Sequence, residues 1–98
     1  MPTYKFSEAA NYDLAKIIDY TFQTWGADQT SLYIDGLEKL AQLIAEAPKL
    51  GKAREDIAEG LKAFPYQSHV LYYVEAAHGI TVARVLHENM DSNAEIAK

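Results

Sequence analysis

Cysteine is absent from the 98-residue chain, which excludes a disulfide framework and thiolate metal sites. Arginine is scarce, since only Arg54 and Arg84 accompany the lysines, and the formal net charge is −5. Sequence-independent nucleic-acid binding needs clustered Lys and Arg to displace counterions. Direct binding of nucleic acid by this chain is therefore not expected.

Long apolar runs are also missing, although 49% of the residues are hydrophobic. A membrane-spanning helix needs about 18 or more consecutive apolar residues, and no apolar segment follows a basic one as in a secretion signal. The expected location is cytoplasmic, without membrane contact. A chain of this size buries one core, so residues 1–98 are expected to form a single domain, with 88–98 as a polar C-terminal tail.

Two amphipathic helices are predicted in the first half of the chain. Ser7 offers an N-cap for a helix that begins at Glu8, and Gly26 can end it. The apolar stripe of this first helix comprises Ala10, Leu14, Ile17, Ile18, Thr21, Phe22 and Trp25.

The second helix is predicted from an N-cap at Asp28 to a stop at Pro48. Because so few residues join the two helices, they must pack as an antiparallel hairpin. The apolar stripe of the second helix comprises Tyr33, Leu37, Leu40, Ala41, Ile44 and Ala47.

Strand patterns occupy both ends of the chain, at residues 4–6, 61–64, 68–75 and 80–87. Residues 48–60 read as an irregular connection with a turn near 54–57. The predicted class is α+β in the order β-α-α-β-β-β, a helical hairpin packed on a small, mainly antiparallel sheet.

The last two strands form a hairpin that is apolar on both faces. Helices can cover only one face of a sheet in so small a protein, so the other must meet solvent or a partner. Side-chain parity predicts one face with Leu71, Tyr73, Ile80, Val82, Leu86, His69 and Arg84, and an opposite face with Val70, Tyr72, Val74, Ala83, Val85, Ser68 and His87.

Few residues suggest a catalytic or metal-binding role. His69 and His87 are predicted on opposite faces and should not share a metal ion, so no metal or cofactor is expected. Arg84, inside an apolar strand, should reach the rim, pair with a carboxylate such as Glu75, or contact a partner. No phosphate loop, nucleophile elbow or carboxylate pair is present. An acid–base ribonuclease using His87, Arg84 and Arg54 remains open as an alternative to a binding protein.

The ordered residues resemble a known family over nearly the whole length. The most specific part of the resemblance lies in the last third of the chain. The matching residues are Tyr4-Lys5-Phe6-Ser7, Ala10, Asp13-Leu14, Ile17, Tyr20-Thr21, Trp25-Gly26, Gln29, Tyr33, Leu43, Pro48, Gly51, Ile57, Gly60-Leu61, Phe64, Ser68-His69, Tyr72-Tyr73, Ile80, Val82, Arg84, Leu86-His87 and Met90-Asp91. In this pattern the chain is similar to ParE toxins, the gyrase-directed branch of the RelE/ParE superfamily.

The resemblance implies the same fold and a function in plasmid maintenance or stress response. Such a toxin binds DNA gyrase, leaves breaks in DNA and blocks replication, without being an enzyme, and a ParD-type antitoxin neutralises it. The alternatives are a ribosome-dependent mRNA endoribonuclease of the RelE branch and an inactive paralogue that only binds the antitoxin. Glu88 follows His87 where several of those nucleases have an aromatic residue.

Two surfaces are expected to carry these contacts. The end of the hairpin and the tail should contact gyrase, and the apolar groove between helical hairpin and sheet edge should hold the antitoxin. The expected gyrase-binding residues are Arg84, His87, Met90 and Asp91, and the expected antitoxin-binding residues are Tyr33, Leu71, Tyr73 and Val82.

Overall fold

A computed structural model describes residues 1–96 and confirms the α+β class. The last two residues of the predicted polar tail lie outside this range. The elements are β1 (Thr3–Phe6), α1 (Glu8–Trp25), α2 (Ala27–Glu46), a short 3-10 turn (Pro48–Leu50), β2 (Lys52–Ala53), β3 (Lys62–Tyr66), β4 (His69–Ala76), β5 (Gly79–His87) and α3 (Ser92–Ile96).

The strands form one mixed sheet in the order β1-β5-β4-β3-β2. β1 runs parallel to β5, and the other neighbours are antiparallel. Gly79 allows the close approach of β1: it has φ +138°, and a Cβ there would lie 2.1 Å from the Thr3 carbonyl oxygen. β1 and β2 are the two edge strands, and the helical hairpin connects them across the sheet.

Caps define the two long helices. The Ser7 hydroxyl accepts a hydrogen bond from the Ala10 N–H at 3.0 Å, as predicted. Gly26, with φ +90°, ends α1, and its carbonyl accepts the Thr30 hydroxyl at 2.8 Å. The cap position of α2 is therefore Gly26, and the prediction of Asp28 is wrong by two residues, because Gly26 serves both helices. α2 ends at Glu46, just before Pro48.

The main core lies between the helical hairpin and one face of the sheet. Ile18, Phe22 and Trp25, predicted on the buried stripe of α1, are exposed instead. The buried face of α1 is narrower than its apolar stripe and comprises Ala10, Asp13, Ile17 and Thr21. The core comprises Ala10, Ile17, Leu37, Ala41, Ile44, Ala45, Leu71, Tyr73, Ile80, Val82 and Val85.

A β-bulge at Ala83 changes the predicted faces of β5. Tyr72 pairs with Arg84, but Tyr73 pairs with Val82, so one extra residue interrupts the ladder. Val85 therefore packs in the main core and Leu86 in the cluster on the opposite face, the reverse of the parity prediction. The bulge also brings His69 and His87 together, which corrects the expectation of opposite faces.

The connection between β2 and β3 covers part of the second face of the sheet. Ile57 and Leu61, from the connection between β2 and β3, pack there with Tyr72 and Leu86. The Ile57 N–H donates to the Arg54 carbonyl at 3.0 Å, which confirms the predicted turn. The second face is therefore not wholly left for a partner.

Strand β3 extends to Tyr66, beyond the predicted end before Pro65. Strand β2 pairs only with Lys62 and Ala63, so β3 is an outer strand at Pro65. Proline is tolerated at such an edge because it lacks only an N–H. Within residues 1–96, none of the helices combines the length and apolarity needed to cross a membrane.

Candidate functional site

A groove of about 900 Å³ opens between the helical hairpin and the end of the sheet where β4 begins and β5 ends. α1 and α2 form one wall, β4 and β5 form the floor, and residues after β5 form the rim. Large side chains project into it with little cover: Tyr20 is 69%, Trp25 69%, Leu32 67% and Met90 44% exposed. So much apolar surface in a concavity is typical of a binding site.

The floor holds a cluster of two tyrosines and two histidines. The Tyr33 hydroxyl lies 2.5 Å from His69 Nδ1, and the rings of His69 and His87 are 5.4 Å apart and nearly perpendicular. Tyr66 packs edge-to-face on Tyr33 at 5.0 Å and donates its hydroxyl proton to the Tyr33 carbonyl. These contacts fix the floor of the groove.

Burial shifts the pKa values of Tyr33 and His69 in this cluster. Loss of hydration raises the pKa of Tyr33, with Tyr66 adding to the effect and a Ser68 hydrogen bond opposing it. Loss of hydration also lowers the pKa of His69, and His87 adds to that, while Glu88 acts in the opposite direction. Both side chains are therefore neutral at pH 7.

Arg84 links the strand, the first helix and the tail. Its Nε and Nη2 donate to the two carboxylate oxygens of Asp13 at 2.8 and 2.9 Å, and its Nη1 donates to the Glu95 carbonyl at 2.9 Å. Asp13 Oδ2 also accepts the Val85 N–H at 3.0 Å, where β5 extends beyond the end of β1. Arg84 pairs within the domain, but with Asp13 rather than the predicted Glu75, which is 3.4 Å from Lys62.

Four of the eight predicted site residues line the groove: Arg84, His87, Met90 and Tyr33. Asp91 lies outside the lining, where its carboxylate accepts the N–H groups of Asn93 and Ala94 at the start of α3.

Leu71, Tyr73 and Val82 have no exposed surface, because α1 and α2 cover that face of the sheet. None of the three therefore presents its side chain at the protein surface. Tyr20 and Leu32 also line the groove, although neither was predicted as a site residue. Their apolar side chains lie off the predicted helix stripes, and this was the signal that could have identified them.

A ribonuclease needs cations that can hold a phosphate, and the groove has two candidates. Its cations are Lys16 and Arg84, and the guanidinium of Arg84 is already paired with Asp13. Arg54, the other arginine of the ribonuclease alternative, is not in the lining and pairs with Asp56 at 3.0 Å. Across residues 1–96, no three His, Asp or Glu side chains are grouped closely enough to hold a metal ion.

Comparison with known proteins identifies the family. The family described as "ParE toxin of type II toxin-antitoxin system, parDE" matches residues 4–92. The chain belongs to the ParE toxin family. It is thus a ParE-type toxin of a type II toxin–antitoxin system, as the resemblance implied.

ParE relatives match over nearly the full length. Toxin ParE1 of Mycobacterium tuberculosis is 37% identical over 89 residues, covering 90% of this chain and 91% of that protein. Toxin ParE1 of Caulobacter vibrioides is 32% identical over 96 residues, covering 98% and 99%.

A solved structure described as "Chromosomal ParDE TA system from P. aeruginosa" superposes on the ParE-type fold with a TM-score of 0.72. The match covers 89% of this chain and 96% of the other, at 15% identity. At that identity the superposition shows a shared fold.

Proposed function

We propose that this toxin inhibits DNA gyrase and so blocks replication, and that a ParD-type antitoxin neutralises it by occupying the groove. The proposal rests on the ParE match over residues 4–92, which includes every residue that lines the groove except Glu95. Gyrase acts on chromosomal and plasmid DNA, so the proposed location is the cytoplasm, and the proposed role is plasmid stabilisation.

The groove suits the apolar face of a partner helix. Tyr20, Trp25 and Leu32 are each about two-thirds exposed, so a partner could bury much of their surface. Amphipathic helices recognise such grooves through apolar residues spaced three and four apart. A segment that folds as it binds can wrap such a surface, which fits an antitoxin.

A substitution that introduces a charge into the groove tests whether the antitoxin binds there. Leu32→Asp should weaken antitoxin binding at least tenfold, because a carboxylate would be desolvated against an apolar partner. Leu43→Asp is the matched control: Leu43 lies on the same helix and is 52% exposed, but outside the groove lining. Equal affinities of the two variants, measured by isothermal titration calorimetry, would contradict the groove assignment.

Gyrase contact is assigned to the rim. An inhibitor without chemistry of its own must bind one conformation of its target more tightly than the others. Met90 is exposed at the rim beside His87, and both are available to a partner. Arg84 and Asp91 instead hold the tail in place, so we assign them a positioning role.

Deletion of the residues after His87 would test the tail but also remove structural contacts. Ile96 packs on the second apolar cluster, and the Glu95 carbonyl accepts from Arg84. Met90→Ser is the cleaner change. It should raise the toxin concentration that halves gyrase supercoiling, with an unchanged circular dichroism spectrum and melting temperature. Unaltered inhibition by both the substitution and a folded deletion variant would place gyrase contact elsewhere.

The Tyr33–His69–His87 cluster keeps ribosome-dependent mRNA cleavage as a second candidate, because neighbouring imidazoles can act as general acid and base. Purified toxin should inhibit supercoiling and leave mRNA intact during translation. A ribonuclease would give the opposite pair of results, and His87→Gln would abolish its activity. An inactive paralogue would bind the antitoxin and do neither.

A further inference from the structure

The cross-strand pair His69 and His87 faces the groove from the first residue of β4 and the last residue of β5. A neutral imidazole carries one N–H, and the contact made by one ring nitrogen determines where that proton lies. For both histidines, the contact at Nδ1 is defined.

The tautomer of His87 follows from its own backbone. The Asn89 N–H donates to His87 Nδ1 at 3.1 Å. A backbone amide can only donate, so Nδ1 must present a lone pair. The proton of neutral His87 therefore lies on Nε2.

His69 has the same tautomer for a different reason. Its Nδ1 contacts the Tyr33 hydroxyl. A phenol hydroxyl donates a hydrogen bond more readily than it accepts one, and an imidazole nitrogen that bears a lone pair is a good acceptor. The phenol proton is then directed to His69 Nδ1, and the imidazole proton lies on Nε2.

Both Nε2–H groups are free to bind. In residues 1–96 neither Nε2 makes a hydrogen bond, and no buried side-chain nitrogen there lacks a partner. Both half-buried histidines must therefore expose Nε2 to solvent. Two imidazole donors with rings 5.4 Å apart thus stand at the floor of the groove.

The surrounding charge favours an acceptor ligand over a cation. A metal ion would need the Nε2 lone pairs, which are occupied by protons in these tautomers. The cations Lys16 and Arg84 balance the lining carboxylates Asp13 and Glu95, whereas the whole chain carries −5. The groove is therefore less negative than the chain as a whole.

We propose that the His69–His87 pair binds a carboxylate, namely an Asp or Glu side chain of the polypeptide that occupies the groove. The identity of that polypeptide as antitoxin rests on the proposed function, but the carboxylate site does not. Two N–H donors can hold the two oxygens of one carboxylate, which is the stronger kind of acceptor. The site would fix the register of an otherwise apolar helix in the groove.

Nuclear magnetic resonance of the intact toxin at pH 8 tests the tautomers and the site. Long-range ¹H–¹⁵N correlation should show the Nε2–H tautomer for both rings. Acetate should shift their signals along a saturating curve, and chloride at equal ionic strength should not. His78 is the internal control, because its Nε2 is already 2.9 Å from the Ile80 carbonyl.

Two variants sharpen the test. His87→Ala should abolish the saturating response of His69 while leaving the His78 signals in place. Glu88→Gln should tighten acetate binding severalfold, because the charge of Glu88 reaches His69.

An Nδ1–H tautomer on His87, or shifts that do not saturate, would overturn the proposal. Saturable Zn²⁺ binding with loss of the Nε2–H signals would replace it with a metal site. The titration needs neither antitoxin nor gyrase, so its failure would leave the proposed function standing. Loss of gyrase inhibition would likewise leave the titration unaffected.

Discussion

Asp13→Ala should destabilise the fold far more than its place on a surface helix suggests. The Asp13 carboxylate is only 8% exposed and accepts three hydrogen bonds, two from Arg84 and one from the Val85 N–H. Alanine leaves a guanidinium that is 19% exposed without its main counter-ion. It also leaves the buried Val85 amide without an acceptor.

The magnitude follows from these two losses. Removing one partner of a buried ion pair costs about 3–5 kcal/mol, and an unsatisfied buried amide costs about 1–3 kcal/mol. Arg84 keeps its bond to the Glu95 carbonyl, which limits the first loss. We expect a total of about 3–5 kcal/mol, a large part of the roughly 5–15 kcal/mol typical of a domain.

Urea unfolding followed by circular dichroism measures the effect. With a slope of about 1.5 kcal/mol/M, the midpoint should fall by about 2–3 M. Glu95→Ala is the matched control, because the 2.9 Å bond from Arg84 goes to the Glu95 backbone and the carboxylate is 3.8 Å away. Its expected cost is about 0–1 kcal/mol. Similar losses in the two variants would refute the buried-pair reasoning.

Three further substitutions test the hydrogen bonds of a buried tyrosine, a close backbone contact and the pH dependence of stability. Tyr73→Phe should cost about 1–3 kcal/mol in urea unfolding, because the Tyr73 hydroxyl donates to the Pro48 carbonyl at 2.7 Å and accepts the Gly51 N–H at 2.8 Å. A neutral result would show that these bonds are not formed. Gly79→Ala should detach β1, since its Cβ would lie 2.1 Å from the Thr3 carbonyl oxygen, and amide exchange should speed up in β1 before β4. Slow exchange in β1 would refute that strain. The lowered pKa of His69 means that its contribution to stability is complete above its ordinary pKa of 6.5 and is lost as the pH falls through the lowered folded value. His69→Gln should therefore lose less stability than the wild type between pH 7 and 5, and equal losses in the two proteins would contradict the lowered pKa of His69.

The fold was largely predictable because its elements depend on local patterns. Ser7, Gly26 and Pro48 mark helix ends by their own stereochemistry, and the helical spacing of the core residues follows from burial against a flat sheet. The bulge at Ala83 was not predictable. No local preference marks the extra residue, and its presence reverses the facing of every residue from Arg84 to His87.

The candidate site was predictable only in part. Arg84 was singled out as a cation in an apolar strand, but its partner Asp13 lies 71 positions earlier, and no local pattern connects them. Leu71 and Tyr73 were assigned to the antitoxin because an apolar strand face looks the same whether helices or a partner cover it. Trp25, expected in the core, is exposed and lines the groove instead, because an apolar side chain at helical spacing looks the same in sequence whether it faces the core or a binding surface.

The DNA product of a gyrase reaction shows most directly whether this ParE-type toxin acts on gyrase, as proposed. Supercoiling reactions with purified toxin would be stopped with detergent and protease and resolved on a gel. Linear DNA should increase with toxin concentration and should disappear when a ParD-type antitoxin is added first. Full supercoiling without linear DNA at a toxin excess, from protein that binds the antitoxin, would contradict the proposal.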